Sequence, residues 1–501
     1  MSHDPAAEDQ GLVIPRGPDG KRSSIAFGRA VFADALRAVD AEGAAAIAAE
    51  RDWHARYPAH VHRLVAAGAA SPGAAQAIAR AGLDALHGRL RFAVEGREST
   101  LDTALAARGH DWRVARLAGR GDPRPAPLEV PYRGTALRGD AILRQLDAWL
   151  AAGMVEPSFA AMVRWVIDHP DALDLSDQRI ALLGARAEMG PLPQLARWRA
   201  QVVAIDLPRP AIWRRIVADI DAGNATLYAP LRGGSSEDAD AIAAHAGADL
   251  LADTPGIVDW LCESDLPLTI GAYAYLDGAL HVRVSAAMDA IQAAVLARRP
   301  GSTLAMLATP TDVYAVPAEV RAAAHARFAA RGVGAALAGT LSGGRLMRRN
   351  VEVEVVAEGG ARYGIADSAV VQQGPNYALA KRLQQWRAID ARAAGARVSI
   401  HVAPPATTFS VVKNKLLANA YRAAIRFGVE AFEPRTAAAL MAACLAHDLR
   451  NPQAPANPAT ALGHPLELLM HGAAHGGLWR IAHQPRSVLP LAAVLGSVGL
   501  A

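Results

Sequence analysis

Tyr377-Ala-Leu-Ala-Lys381 sets a phenol four positions before an amine, and that lysine is one of only four in 501 residues, beside Lys21, Lys413 and Lys415. Arginine carries nearly all the remaining positive charge. On a helix, residues four apart share a face, so the ammonium stands beside the phenol. A neighbouring positive charge favours phenolate and lowers the tyrosine pKa. A phenol tuned in this way can pass a proton to or from an oxygen, as carbonyl reduction or alcohol oxidation requires. The same five residues would also suit the start of an exposed amphipathic helix.

A second constellation is Gly184-Ala-Arg186-Ala-Glu188-Met189-Gly190-Pro191, which follows the apolar run Arg179-Ile-Ala-Leu-Leu183. Glycine permits a tight strand-to-helix turn and close approach of a pyrophosphate, which the amides at a helix start would bind. The pattern through Trp198 predicts that helix. The next apolar run ends at Asp206, 22 positions beyond Gly184, where a carboxylate can accept hydrogen bonds from a ribose 2′-hydroxyl. Such an acid favours NAD(H), since it repels the 2′-phosphate of NADP(H); Arg209 and Arg214 nearby keep NADP(H) open. Glu188 stands where a middle glycine is common and brings negative charge towards the phosphates. A strand-to-helix turn that binds no dinucleotide is the alternative.

The elements that must position these groups follow from the patterning. Residues 1–25 are polar and rich in Pro and Gly, which predicts a loose arm. Residues 26–175 carry alanine-rich segments with three-to-four residue apolar spacing and read as a mainly helical region, an accessory or dimerisation unit. From residue 176 short apolar runs alternate with helical stretches, the pattern of a parallel sheet covered on both faces. Strands are expected at 179–183, 201–205, 225–228, 268–272, 303–308 and 397–402, giving an α/β, doubly wound domain over 176–501. The interval 318–366 is an insertion, and Val351-Glu-Val-Glu-Val-Val-Ala-Glu-Gly359-Gly360-Ala-Arg-Tyr363 reads as a β-hairpin within it.

Together these pieces resemble the short-chain dehydrogenase/reductase family over about residues 176–425, in a divergent form. The resemblance rests on the glycine turn after the first strand, on Tyr377-x-x-x-Lys381, and on the strand text ending Ala403-Pro404-Pro405-Ala-Thr407-Thr408. It implies a Rossmann-type sheet and NAD, with NADP kept open, as cofactor. Gly184, Arg186, Met189, Gly190 and Asp206 would hold the dinucleotide, with Pro404 and Thr407 closing over the nicotinamide. Tyr377 would be the acid/base, and Lys381 would bind the ribose while lowering the tyrosine pKa. Ser368 would orient the substrate, unless Thr309 or Thr311 supplies that hydroxyl. The chain departs from the family at Pro405, where glycine is usual, and at Ile270-Gly-Ala-Tyr-Ala-Tyr275, where Asn-Asn-Ala-Gly is usual. Its helix His281-Val-Arg-Val-Ser285 lacks the relay asparagine, for which Ser285 or a water would substitute. These departures suit either an altered oxidoreductase or a non-catalytic Rossmann-fold nucleotide-binding or scaffold protein.

Composition narrows the classes. At 52% hydrophobic the chain can bury a large core, and 52 basic against 48 acidic residues leaves only +4, which with 5% aromatics argues against nucleic acid as the partner. Two cysteines, Cys262 and Cys444, are too few for a disulfide framework and suit a reducing compartment. No secretory signal pattern opens the chain and no apolar run nears the roughly 20 residues of a membrane span, so a cytoplasmic protein is expected. Its partner would be a small carbonyl or alcohol substrate, with homo-oligomer formation open. His471 and His475 have metal-ligand spacing but sit among helix-breaking glycines, so no metal is expected, and His447-Asp448 reads as a surface polar pair. Lys413 and Lys415 read as a solvated helix start, and Pro230-Leu-Arg-Gly-Gly-Ser-Ser236 as a flexible loop.

Overall fold

The computed structural model describes residues 9–499. At its centre is a seven-stranded, mostly parallel sheet of β1 (Trp112–Ala118), β2 (Arg179–Leu183), β3 (Gln201–Ile205), β4 (Thr226–Arg232), β5 (Thr269–Ala272), β6 (Thr303–Ala308) and β7 (Arg397–Val402). Their order is β7-β6-β5-β2-β3-β4-β1; only β1 runs antiparallel, at the edge beside β4. Successive residues of the inner strands fall into different cores. Ala181, Leu183, Val203 and Ile205 pack on one face, and Ile180, Leu182, Val202 and Ala204 on the other. Burial on both faces explains why these strands are continuous apolar runs.

The helices that matter here are α1 (Ser24–Leu36), α2 (Pro72–Arg89), α3 (Pro210–Asp221), α4 (Gly278–Arg298), α5 (Gly374–Ala393), α6 (Phe409–Lys413) and α7 (Lys415–Ala423). Side chains set several starts: Ser23 and Ser71 each accept a backbone N–H of the first turn of α1 and α2, and Asn414 accepts from Leu416 and Leu417 in α7. Helix α4 is long and apolar enough to cross a membrane, but 72% of its apolar window is buried inside the protein. Its buried Asp289 is paired at 2.7 Å with Arg387 of α5 and at 2.6 Å with His87 of α2. A buried ion pair on that helix fits a protein core.

Two expectations change. Residues 1–8 of the predicted loose arm lie outside the described residues, but Gly11–Val13 forms a strand against Arg91–Val94, with Leu12 and Val13 fully buried. The 26–175 region is not helices alone, for it supplies β1 to the main sheet and two short hairpins. Those hairpins turn at Glu95-Gly96 and Arg133-Gly134, all four residues with positive φ, the geometry that two-residue turns between twisted strands require. The inserted hairpin forms at Glu354–Val356 and Arg362–Asp367 and turns at Gly359 and Gly360, both near φ +90. It pairs with Val313–Pro317 in a separate three-stranded sheet.

Candidate functional site

The carboxyl ends of β2, β3, β5, β6 and β7 surround two adjoining cavities. The smaller, about 140 Å³, is lined by Tyr377, Lys381, Thr309, Thr311, Met189 and Pro404 among others. The larger, about 710 Å³, is lined by Gly184, Arg186, Asp206, Arg209 and Arg215 among others. Ala187 and Tyr275 reach both.

Helix α5 starts at Gly374, with φ +80, and Pro375, so Tyr377 occupies its first turn and Lys381 the next. The Tyr377 phenol donates to Thr309 Oγ1 at 2.7 Å, and the Thr309 and Thr311 hydroxyls are 3.0 Å apart. Tyr314 donates to the Thr309 carbonyl, which holds the threonine from its other side. Ser368 is fully buried elsewhere: its N–H donates to the Asp312 carbonyl, and its Oγ has no partner among the described residues. Thr309, and not Ser368, is the hydroxyl beside Tyr377. The pair separated by 68 positions meets because β6 ends where α5 begins.

Lys381 is half-buried on the cavity wall, and its Nζ donates to Gln384 Oε1 at 3.3 Å. Burial lowers its pKa to about 8, with the Asp312 carboxylate opposing. Burial raises the pKa of Tyr377; the Thr309 hydrogen bond works against this, and Tyr275 and Tyr421 add to it. The Lys381 ammonium is not among these strongest influences, so the expected lowering of the phenol pKa is not seen. Desolvation is the larger influence on the phenol, and the Lys381 amine is hydrogen-bonded to Gln384.

His281, on the first turn of α4, was not assigned a role by sequence. It is 2% exposed, its ring centre is 5.8 Å from that of Tyr377 and 4.6 Å from that of Tyr275, and its Nδ1 accepts the Leu276 N–H at 3.4 Å. Burial first and the Lys381 ammonium second push its pKa well down, so it is a neutral ring. Its Nε2 and the Ser285 hydroxyl one turn on are both buried without partners among the described residues. The i, i+4 spacing of His281 and Ser285 was the available signal.

At the glycine turn, Gly184 has φ +84, and a Cβ there would lie 2.6 Å from Ala274 Cα. Only glycine permits that approach of the β2 turn to the segment after β5. The Asp206 carboxylate accepts the Arg186 N–H at 2.8 Å and the Leu207 N–H at 2.9 Å, and burial raises its pKa. The Arg186 guanidinium pairs with Asp219 of α3. One expectation fails here. The helix predicted to run through Trp198 is the single turn Leu192–Leu195, and the chain then turns through Arg199, whose φ is +59. Glu188 lines the smaller cavity and accepts the Phe409 N–H at 3.0 and 3.3 Å, tying the turn to α6.

Of the remaining predicted residues, Gly190 does not line either cavity. Thr407 is exposed and bonds the Phe432 carbonyl through its N–H at 2.9 Å, while Thr408 lines the smaller cavity in its stead. His447 and Asp448 are buried, contrary to a surface pair: Asp448 is held between His447 at 3.1 Å and His401 at 2.7 Å. His475 is buried against Glu156 at 2.8 Å, which also binds Arg480. Compared with known proteins, the chain matches no family model, no curated protein and no solved structure.

Proposed function

We propose that the protein is an NAD(P)-dependent oxidoreductase of short-chain dehydrogenase/reductase type, acting on a carbonyl or alcohol substrate. The observation that carries this is the Tyr377–Thr309 hydrogen bond, set beside Lys381 in a cavity at the carboxyl end of the sheet. The strand order supports it: counting the six parallel strands from β2, it is 3-2-1-4-5-6, that of a doubly wound domain whose ligand lies at the strand-order reversal between β2 and β5. The Gly184 approach to Ala274 and the larger cavity fall at that reversal. These residues fit a dinucleotide, though the one-turn helix lends little dipole to its phosphates.

When bound, a reduced nicotinamide supplies a hydride with its electron pair to the carbonyl carbon. Tyr377 gives its phenolic proton to the carbonyl oxygen, which completes the alcohol, and regains a proton from water. Thr309 fixes the phenol and offers its hydroxyl to the substrate oxygen. Oxidation runs these steps in reverse. Lys381 binds the ribose and, once it is drawn from Gln384 towards the phenol, lowers its pKa.

Titrating the protein with NADH and NADPH tests the reading: one of them should raise the melting temperature and quench tryptophan fluorescence. Tyr377→Phe should keep that binding and lose turnover by a factor of about 100 or more. If neither nucleotide binds, the chain is not a dinucleotide-dependent enzyme. The second reading is a nucleotide-binding protein without catalysis, favoured by the raised Tyr377 pKa and the Glu188 contact. It predicts binding with no turnover across a screen of carbonyl substrates.

A further inference from the structure

We propose that the helix Val333–Leu341 docks the protein on an anionic lipid surface, with its apolar stripe in the head-group layer and the arginines at its two ends on the lipid phosphates. This is independent of the dinucleotide reading. The helix lies in the inserted interval 318–366, and none of its nine residues is buried. Val333, Leu337 and Leu341 follow one another at four-residue spacing, so they form one stripe. They are 85%, 55% and 78% exposed. Ala335, Ala336, Ala338 and Gly339 are the half-buried positions, so the small residues lie towards the body and the large aliphatic ones towards solvent. A core-facing helix has the opposite arrangement, and a contiguous apolar row in water marks a contact surface.

Charge around the helix says which surface. No acidic residue occurs between Glu319 and Glu352, a stretch that holds six arginines. Arg327 is spent on the Ala152 and Arg480 carbonyls, Arg321 lies 3.7 Å from Glu354, and Arg349 pairs with Glu352 at 3.2 Å. The other three, Arg331 before the helix and Arg345 and Arg348 after it, are exposed, and among the described residues none has a carboxylate within ion-pair distance. Arg331 stacks on Phe328, 3.9 Å from the ring centre, which leaves its charge uncompensated. A second copy of the chain meeting this face about a two-fold axis would bring the two sets of arginines together. The hydroxyls of the segment are occupied, Thr340 donating to the Ala336 carbonyl at 3.1 Å and Ser342 to the Gly339 carbonyl at 2.9 Å. The stripe therefore offers a protein groove no directional polar group. A bilayer surface needs none: it takes aliphatic side chains at the acyl boundary and cations at the phosphates just above. Nine residues rise about 14 Å, less than half the roughly 30 Å hydrocarbon core, so the helix lies along the surface and does not cross it.

The test is co-sedimentation of the full-length protein with vesicles of phosphatidylcholine alone and of phosphatidylcholine containing about a quarter phosphatidylglycerol. Binding to the anionic vesicles should be at least about tenfold tighter than to the neutral ones and should weaken with salt. Val333→Ser/Leu337→Ser/Leu341→Ser and Arg331→Gln/Arg345→Gln/Arg348→Gln should each weaken it by about tenfold or more, with melting temperatures near that of the wild type because all six side chains are exposed. No binding to anionic vesicles overturns the proposal. So does binding that survives the serine substitutions, which would place the lipid contact elsewhere. Self-association in sedimentation velocity that the serine substitutions abolish, without vesicle binding, would give the face to a second copy and overturns it as well.

Discussion

Lys381 is an amine on the wall of a partly desolvated cavity, and its free energy follows from that. Its folded pKa, about 8, lies below the 10.5 of a solvated lysine. Between these values the unfolded chain binds more protons than the folded one, so stability rises with pH across that window. Below about pH 8 both states hold the charge and the full cost of burying it is present. Lys381→Met, similar in length and uncharged, should therefore be more stable than the wild type at pH 7, and the difference in melting temperature should shrink as pH climbs from 8 towards 10. A difference that stays constant would show that the amine does not titrate there. Thr309→Val removes the acceptor of the Tyr377 proton while keeping the shape, and should lower turnover by about tenfold or more with little loss of cofactor affinity. Sequence made the Tyr377–Lys381 pair legible because both ends lie on one helix. Thr309 was only one of three candidate hydroxyls, since its meeting with Tyr377 depends on where β6 stops. Ser368 is nearer in the chain, but the small sheet turns it to Asp312.

At the scale of elements, most parallel strands were legible almost to the residue: β2, β3, β6 and β7 match the expected bounds and β5 begins one residue later, but β4 runs from Thr226 to Arg232, taking Pro230, Leu231 and Arg232 from the expected flexible loop into pairing with β1. Burial on both faces leaves an apolar run with no polar alternation to blur its ends. The hairpins near the N-terminus were missed because their four-residue strands carry charged side chains and only one marked turn residue each. The helix after Gly184 was over-read because its apolar spacing outweighed two prolines. In its place stands a contact between elements. Glu188 caps the first N–H of α6, a five-residue helix whose Phe409 and Val412 are exposed and which continues through Asn414 into α7. Losing such a hydrogen bond costs about 1 kcal/mol, equivalent to roughly fivefold in a local opening equilibrium. Glu188→Ala should therefore speed tryptic cleavage after Lys413 and Lys415 by about that factor, while the melting temperature hardly moves. Cleavage at the wild-type rate would mean that the carboxylate holds nothing in place.

At the scale of the whole molecule, the N-terminal helices are part of what fixes the site. α1 and α2 pack on α5, the helix that bears Tyr377 and Lys381, and the core runs without a break from Phe32 and Leu83 to Trp386 and on to Ile270 of β5. His87 of α2, Asp289 of α4 and Arg387 of α5 form one buried network; burial would raise the Asp289 pKa, but Arg387 and His87 pull it down, so the carboxylate stays charged between them. The closest approach is at Gly82 of α2, where a Cβ would lie 2.5 Å from the Trp386 ring. Composition marked this region as helical and could not show that its glycine faces an indole about 300 positions away. Two substitutions on one helix separate packing from propensity. Gly82→Val forces the ring or the helix to move and should destabilise by about 1–3 kcal/mol, with a weaker response to cofactor because α5 shifts with Trp386. Gly88→Ala, on an exposed position with nothing within 4 Å, should stabilise by up to about 1 kcal/mol and leave cofactor binding alone. Melting curves with and without the dinucleotide measure both. If Gly82→Val lowered stability but kept the full cofactor response, the N-terminal helices would support the fold without setting the geometry of Tyr377 and Lys381.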